Sequence, residues 1–286
     1  PTPPPPPHPH PLHDSSAASD VYKRQAMDDA TTAALRAAIV EHEVVFVRGA
    51  FLDEQQHLAL GDALGGAMTF PLFRLLGATD PTLTVIEDGP DSKPEADEWH
   101  TDATWIAEPP DVAILQANVV PERGGDTLWA SMTAAFEGLS EPMRRFCRGL
   151  TVRHDNDSFI AGMARKAPQL VTEHDLDRRL REAYPPVDHP LVRTHPESGR
   201  EALFLGGRFM RRVNELTENE SRTLLDLLAR HVDDARFHCR WRWQPGDVAI
   251  WDERSTNHRS AADHFPQHRQ IRRCEVGGDR PVFQAV

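Results

Sequence analysis

Apolar residues along this chain change their spacing repeatedly. Residues 31–39 carry apolar positions at helical intervals after a start rich in Asp and Thr, and 44–47 form an unbroken apolar run of the kind a buried strand shows. Residues 53–64 again predict a helix, opened by Asp53 as N-cap and closed by Gly65-Gly66. Farther on the spacing is mostly that of strands, over 83–86, 112–120, 127–130, 191–195, 202–205, 240–243, 248–251 and 270–276. Helices are expected at 141–148, 173–183 and 218–231, the last preceded by Thr217 and Glu220 in a capping-box arrangement. Many strands at uneven spacing with inserted helices predict a mainly β domain with flanking helices, a β-sandwich or jelly-roll barrel and not a βαβ fold.

The start of the chain does not share this order. Residues 1–11 are rich in proline and histidine and 15–25 are polar without periodicity, which predicts a disordered, non-native-looking leader over 1–26 and a folded domain over 27–286. His8 and His10 within it read as a solvated pair and not as a metal site. Of the residues, 39% are hydrophobic and 27% charged, which suits a globular protein. The net charge of -12 argues against a nucleic-acid partner, which would need a basic face. No apolar run approaches a membrane span. Three widely spaced cysteines, Cys147, Cys239 and Cys274, fit neither a disulfide framework nor a CxxC site, so a reducing cytoplasm is expected.

The central candidate is Trp99-His100-Thr101-Asp102. In an extended segment residues two apart share a face, so His100 and Asp102 can grip one cation. Two histidines and a carboxylate on one side of an iron(II) leave the opposite positions free for substrate and dioxygen. His-x-Asp by itself is weak, and a second copy, His231-Val-Asp233, lies at the end of the 218–231 helix, where it reads as structural. A third ligand has to come from far away. Residues 247–260 run from an apolar strand into a polar segment with His258, a design that delivers a side chain from a rigid element. The same trio also serves zinc in hydrolases, and a jelly roll can bind without turnover. A metal-dependent hydrolase and a non-catalytic jelly-roll binding protein therefore stand as alternatives.

Several short blocks, in order, carry a resemblance over residues 28–283: Trp99 to Asp102, Gly124-Gly125-Asp126-Thr127, His189-Pro-Leu-Val-Arg193 with Thr194-His195-Pro196, Pro245-Gly-Asp-Val248 with Trp251-Asp252, and Asn257-His258 followed by His268-Arg269 and Arg272-Arg273. With these the chain resembles the TauD/TfdA family of iron(II)- and 2-oxoglutarate-dependent dioxygenases. The resemblance implies a double-stranded β-helix (jelly roll, cupin-like), with iron held by His100, Asp102 and His258. It implies that 2-oxoglutarate is held by Thr127 and by Arg269, which stands eleven residues after His258. A guanidinium makes two parallel charge-assisted bonds to a carboxylate, and a hydroxyl adds a third, so the pair suits the distal carboxylate of 2-oxoglutarate.

The resemblance further implies that Arg273 takes the anionic end of the substrate, with Phe209, Phe70, Phe159 and Ala103 around it. Arg269 and Arg273 are expected to face one cavity, and Arg272 to point away. Taurine-specific members carry a histidine where this chain has Phe70, so the expected substrate is a small organic anion with a more apolar body: an alkyl sulfate, a sulfonate or a carboxylate. The implied reaction consumes dioxygen and 2-oxoglutarate and hydroxylates a substrate C–H, releasing sulfate or sulfite where the carbon bears such a group. A homo-oligomer, dimer or tetramer, is expected by analogy.

Overall fold

The computed structural model of this chain describes residues 28–94 and 98–284, and its elements alternate between helix and strand before strands take over. The leader over 1–26, His8 and His10 included, and residues 95–97 lie outside the described residues. The first part runs α1 (Asp29–His42), β1 (Val44–Val47), α2 (Glu54–Leu64), α3 (Pro71–Leu75), β2 (Thr84–Asp88), β3 (Val112–Val119) and β4 (Thr127–Ser131). The middle is mostly helical: α4 (Met132–Glu137), α5 (Glu141–Cys147), β5 (Thr151–His154), α6 (Asp157–Lys166), α7 (Pro168–Glu173) and α8 (Leu176–Ala183). There follow β6 (Val187–Pro190), β7 (Val192–Thr194), β8 (Glu201–Leu203), β9 (Met210–Val213), α9 (Glu218–Val232), β10 (His238–Trp241), β11 (Val248–Asp252), β12 (Thr256–Ser260) and β13 (Arg269–Val276).

Two antiparallel sheets form the barrel. One has the strand order β1-β11-β3-β13-β2, the other β10-β4-β12. Strand β3 shows why the larger sheet is buried on both faces. Its Val112 and Ile114 pack outward with Leu35, Ile39, Leu60 and Leu64 of α1 and α2. Its Ala113, Leu115 and Ala117 face inward against Trp129 of β4 and Trp251 of β11. Both parities of the strand are therefore apolar, as in a sheet covered on each side. Strand β13 splits the same way: Cys274 and Val276 pack with the helices, whereas Ile271 joins the inner cluster. Side chains alternate along a strand, so Arg269 and Arg273 share the inner face with Ile271. Arg272, on the other face, donates to the Leu52 carbonyl and so meets protein, not open solvent.

The helix caps follow the expected chemistry. Asp53 and Gln56 complete a capping box at α2, and Thr217 with Glu220 does so at α9. Three expectations need correction. The single helix expected at 173–183 is two, α7 and α8, because Asp175 adopts a left-handed conformation (φ 49°) that Asp tolerates better than most residues. Helix α6 and strands β5 and β9 were not expected from the apolar pattern. Finally, His258 does not sit on a polar tail of β11: the chain reverses over Glu253 to Ser255 and His258 lies on its own strand, β12. The sequence Thr-Asn-His-Arg-Ser has no apolar alternation to betray a strand, and it becomes one because β4 pairs with it along its length.

Candidate metal and cosubstrate site

His258 sits in the middle of β12, opposite Trp129 of β4. On the open side of β12 the chain at His100 makes a reciprocal pair of backbone hydrogen bonds, His100 N–H to the His258 carbonyl (3.1 Å) and His258 N–H to the His100 carbonyl (2.9 Å). This single bridge joins two segments more than 150 residues apart and sets the two imidazoles side by side, with ring centroids 4.3 Å apart. The chain turns from Asp102 onward instead of running on as a strand, yet His100 and Asp102 still converge. Thr101 turns away and its hydroxyl donates to the Asn257 side-chain oxygen (2.9 Å), while His100 and Asp102 turn toward His258. Beyond Asp102 the chain bends sharply through Ala103, whose positive φ of 48° is easier for a small side chain than for a branched one.

The resulting trio is buried, and one ligand atom from each of His100, Asp102 and His258 lies within 4.8 Å of the others. His100 Nε2 is 3.7 Å from Asp102 Oδ1, and His258 Nε2 is 3.9 Å from Asp102 Oδ2. His100 Nδ1 is 2.7 Å from the Glu98 carbonyl and can only donate there, which leaves its Nε2 lone pair facing the trio. Burial pushes both imidazoles down, His258 to about 3. Burial alone would raise the Asp102 carboxyl, but Arg273 and then the two histidines outweigh it and hold it below the usual range. Two neutral imidazoles and an ionised carboxylate are the protonation states a divalent metal requires. The donor set therefore fits a borderline or hard cation such as iron(II).

Thr127 opens β4 and Arg269 opens β13, and both are buried. The Thr127 hydroxyl accepts from the Trp243 indole N–H (3.0 Å), so its own hydrogen is left to donate elsewhere. Arg269 Nε donates to the Gly125 carbonyl (3.1 Å), and Nη1 stands 3.7 Å from Asp88. Its Nη2 is buried without a hydrogen-bond partner. A buried guanidinium with one idle donor is what a bound carboxylate would complete. Gly125 is needed here: its φ is +72°, and a Cβ would come within 3.1 Å of the Arg269 side chain.

Arg273 is on the inner face as expected, but it is not idle. It donates to Asp102 Oδ2 at 2.7 Å and lies 2.8 Å from Glu275, which is fully buried. Its guanidinium also sits 5.9 Å above the Phe70 ring. Phe70, Ala103 and Phe209 belong to one buried cluster with Trp105, and Phe159 packs against it. The second His-x-Asp copy is structural, as expected: His231 bonds the Ala135 carbonyl and Asp233 accepts from the Trp99 indole.

Sequence reasoning missed three residues. Trp243, which orients Thr127, is signalled by the Trp-Arg-Trp alternation at 241–243. Glu253 accepts from the Asp102 backbone N–H (3.1 Å) and from the Trp251 indole (2.8 Å). Burial, and then the Asp102 charge, push its carboxyl well up. Glu275, raised to about 7 by burial despite Arg273, is the third. Neither glutamate has a sequence signal, because only the fold buries them.

Comparisons with known proteins identify the family. The family model described as taurine catabolism dioxygenase TauD, TfdA family, matches residues 9–275, beginning inside the stretch read as leader. The chain is 36% identical over 257 residues to an alpha-ketoglutarate-dependent sulfate ester dioxygenase of Pseudomonas putida, covering 90% of this chain and 84% of that one. It is 32% identical over 271 residues to an alkylsulfatase of Acinetobacter baylyi, covering 91% and 81%. Among solved structures it resembles a putative alpha-ketoglutarate-dependent taurine dioxygenase of Burkholderia xenovorans, with a TM-score of 0.73 and 33% identity over 91% of this chain and 84% of that one. With a mainly antiparallel jelly roll, a buried His-Asp-His trio and a family match over most of its length, the chain belongs to the TauD/TfdA family of iron(II)- and 2-oxoglutarate-dependent dioxygenases.

Proposed function

We propose that this dioxygenase hydroxylates the carbon that bears the sulfate of a small alkyl sulfate ester, with sulfonates and carboxylates as poorer substrates. His100, Asp102 and His258 are the metal ligands in this reading, Thr127 and Arg269 hold the distal carboxylate of 2-oxoglutarate, and Arg273 receives the anionic end of the substrate. The observation that carries it is the convergence of three buried ligand atoms within 4.8 Å, with Arg273 bonded to one of them at 2.7 Å. The choice of a sulfate ester is supported by the likeness to the sulfate ester dioxygenase and the alkylsulfatase, and by Phe70 beside Arg273, which suits an apolar body next to an anion. When bound, iron(II) and 2-oxoglutarate activate dioxygen for C–H hydroxylation, with loss of carbon dioxide and formation of succinate.

The chain's own part is placement. Arg269 and the Thr127 hydroxyl fix the far end of 2-oxoglutarate, and the buried aromatic cluster around Phe70 and Phe209 keeps water from the substrate carbon. Arg273 holds Asp102 through Nη1 and faces Glu275 through Nε, which leaves Nη2 as the donor for an incoming sulfate. Hydroxylation of a sulfate-bearing carbon gives a hemiacetal-like adduct that collapses to an aldehyde and sulfate. The test is succinate and sulfate formation by iron-loaded protein in air, over a panel of alkyl sulfates, sulfonates and carboxylates. Equal amounts of both products with one alkyl sulfate are expected; tight iron binding without succinate under any condition would sink the reading.

In the same reading residues 27–286 form the catalytic unit, acting in a reducing cytoplasm as a homo-oligomer. The unpaired state of Cys147, Cys239 and Cys274 supports the compartment. Deletion of 1–26 should leave succinate formation intact, and sedimentation should give a dimer or tetramer; loss of activity or a monomer would refute the respective point.

A further inference from the structure

Each metal-binding imidazole needs an acceptor for its other ring nitrogen, because a histidine that ligates through Nε2 carries its proton on Nδ1. His100 has one, the Glu98 carbonyl at 2.7 Å. His258 has none: its Nδ1 is buried and unpartnered. The group that faces it is the Glu253 carboxyl, with Oε1 3.8 Å away. Glu253 is fully buried at the reversal between β11 and β12, and its other oxygen accepts the backbone N–H of Asp102 at 3.1 Å. The Trp251 indole N–H, at 2.8 Å, holds Oε1 from the far side. Glu253 thus touches the backbone of one ligand and faces the idle nitrogen of another, without reaching the trio itself.

We infer that Glu253 is a positioning residue that anchors both Asp102 and His258 by accepting their N–H groups, closing onto His258 Nδ1 when the trio takes up its metal. The inference rests on the reading of His100, Asp102 and His258 as ligands. Three N–H donors then converge on one side chain, from Asp102, Trp251 and His258. When Glu253 is ionised its two carboxylate oxygens accept all three, whereas an amide offers a single acceptor and sets its NH2 against the remaining donors. Loss of such an outer contact typically lowers metal affinity by about 10–100-fold.

Cobalt(II) titration of the metal-free protein, followed by visible absorption and by the paramagnetically shifted exchangeable N–H signals of the bound histidines, tests this. Wild type is expected to bind one equivalent and to show two such signals. Glu253→Gln is expected to bind about 10–100-fold more weakly, with one signal moved or lost to solvent exchange and the His100 signal unchanged. A folded E253Q with wild-type affinity and both signals in place would overturn the role of Glu253 while leaving the ligand reading intact. Failure of wild type itself to bind cobalt(II) would overturn the ligand reading, and the inference with it. If E253Q does not fold, Glu253→Asp, which keeps both oxygens but withdraws them by one methylene, is read in the same way: weaker binding with a displaced His258 signal supports the inference, and unchanged behaviour overturns it.

Discussion

The Arg273 guanidinium donates to the Asp102 carboxylate at 2.7 Å, so the arginine proposed to receive the anionic end of the substrate also grips a member of the His-Asp-His trio. On its other side it is 2.8 Å from Glu275, a residue with no exposure to solvent. In the proposed reading, substrate capture and ligand placement are linked through this one side chain, and substitutions at Arg273 are expected to act on both.

Removing this arginine strands a buried acid. Breaking one partner out of a buried pair costs about 3–5 kcal/mol, whereas replacing both partners by apolar groups is often neutral. Arg273→Met is expected to lower unfolding stability in urea by that order, and the double change Arg273→Met with Glu275→Met to recover most of it. Loss of stability that the double variant does not relieve would show that Glu275 is not the strained partner.

At the other end of β13, the idle Nη2 of Arg269 and the oriented Thr127 hydroxyl predict the hierarchy of 2-oxoglutarate binding. A hydrogen bond to a charged group is worth about 1.5–3 kcal/mol, so Arg269→Ala should raise the KM for 2-oxoglutarate by at least about 10-fold. Trp243→Phe removes only the bond that orients Thr127, about 1 kcal/mol, and should raise it roughly fivefold with the metal affinity unchanged. Steady-state succinate kinetics separate the two; equal effects would contradict the geometry.

The ligand trio makes the sharpest claim on activity. Asp102→Ala and His258→Ala should each reduce iron(II) affinity and bring succinate formation below detection, since in the proposed reading each deletes one of three protein ligands. Calorimetric metal titration beside the turnover assay checks both, and full coupled turnover in Asp102→Ala is the outcome that defeats the assignment.

Acid should destabilise the metal-free fold through buried histidines outside the trio. Burial pushes His57 and His189 down to about 4 and His154 to about 3, from the ordinary value of 6.5. Their folded values lie below the unfolded one, so the unfolded chain binds more protons as pH falls. The stability they contribute is complete above the unfolded value and is lost on the way down to the folded values. These histidines take away stability as pH falls below 6.5, His57 alone on the order of 3 kcal/mol by pH 4, while Glu275, whose folded value of about 7 lies above its unfolded one, returns some as it protonates; the slope of melting temperature against pH reads the balance. His57→Gln, which can still donate to the Ile114 carbonyl, should flatten the curve; an unchanged slope would exclude His57 as a source.

Much of this molecule is legible before folding, and the reason is local chemistry. Asp53 with Gln56 and Thr217 with Glu220 mark helix starts because caps act within four residues. The apolar runs at β1, β3 and β11 mark strands because both faces of that sheet are covered. The His-x-Asp pair and, through the family resemblance, the spacing of Arg269 from His258 point to the trio and to a proposed cosubstrate arginine because they lie within short, ordered blocks. Only the tertiary structure decides the rest. The strand that carries His258 has a polar sequence and forms through pairing with β4 and with His100, a contact between segments far apart in the chain. Glu253, Glu275 and Trp243 look like ordinary surface or core residues until the barrel closes. Their roles come from burial and from which donors meet them there, and neither is a property of neighbouring residues in sequence.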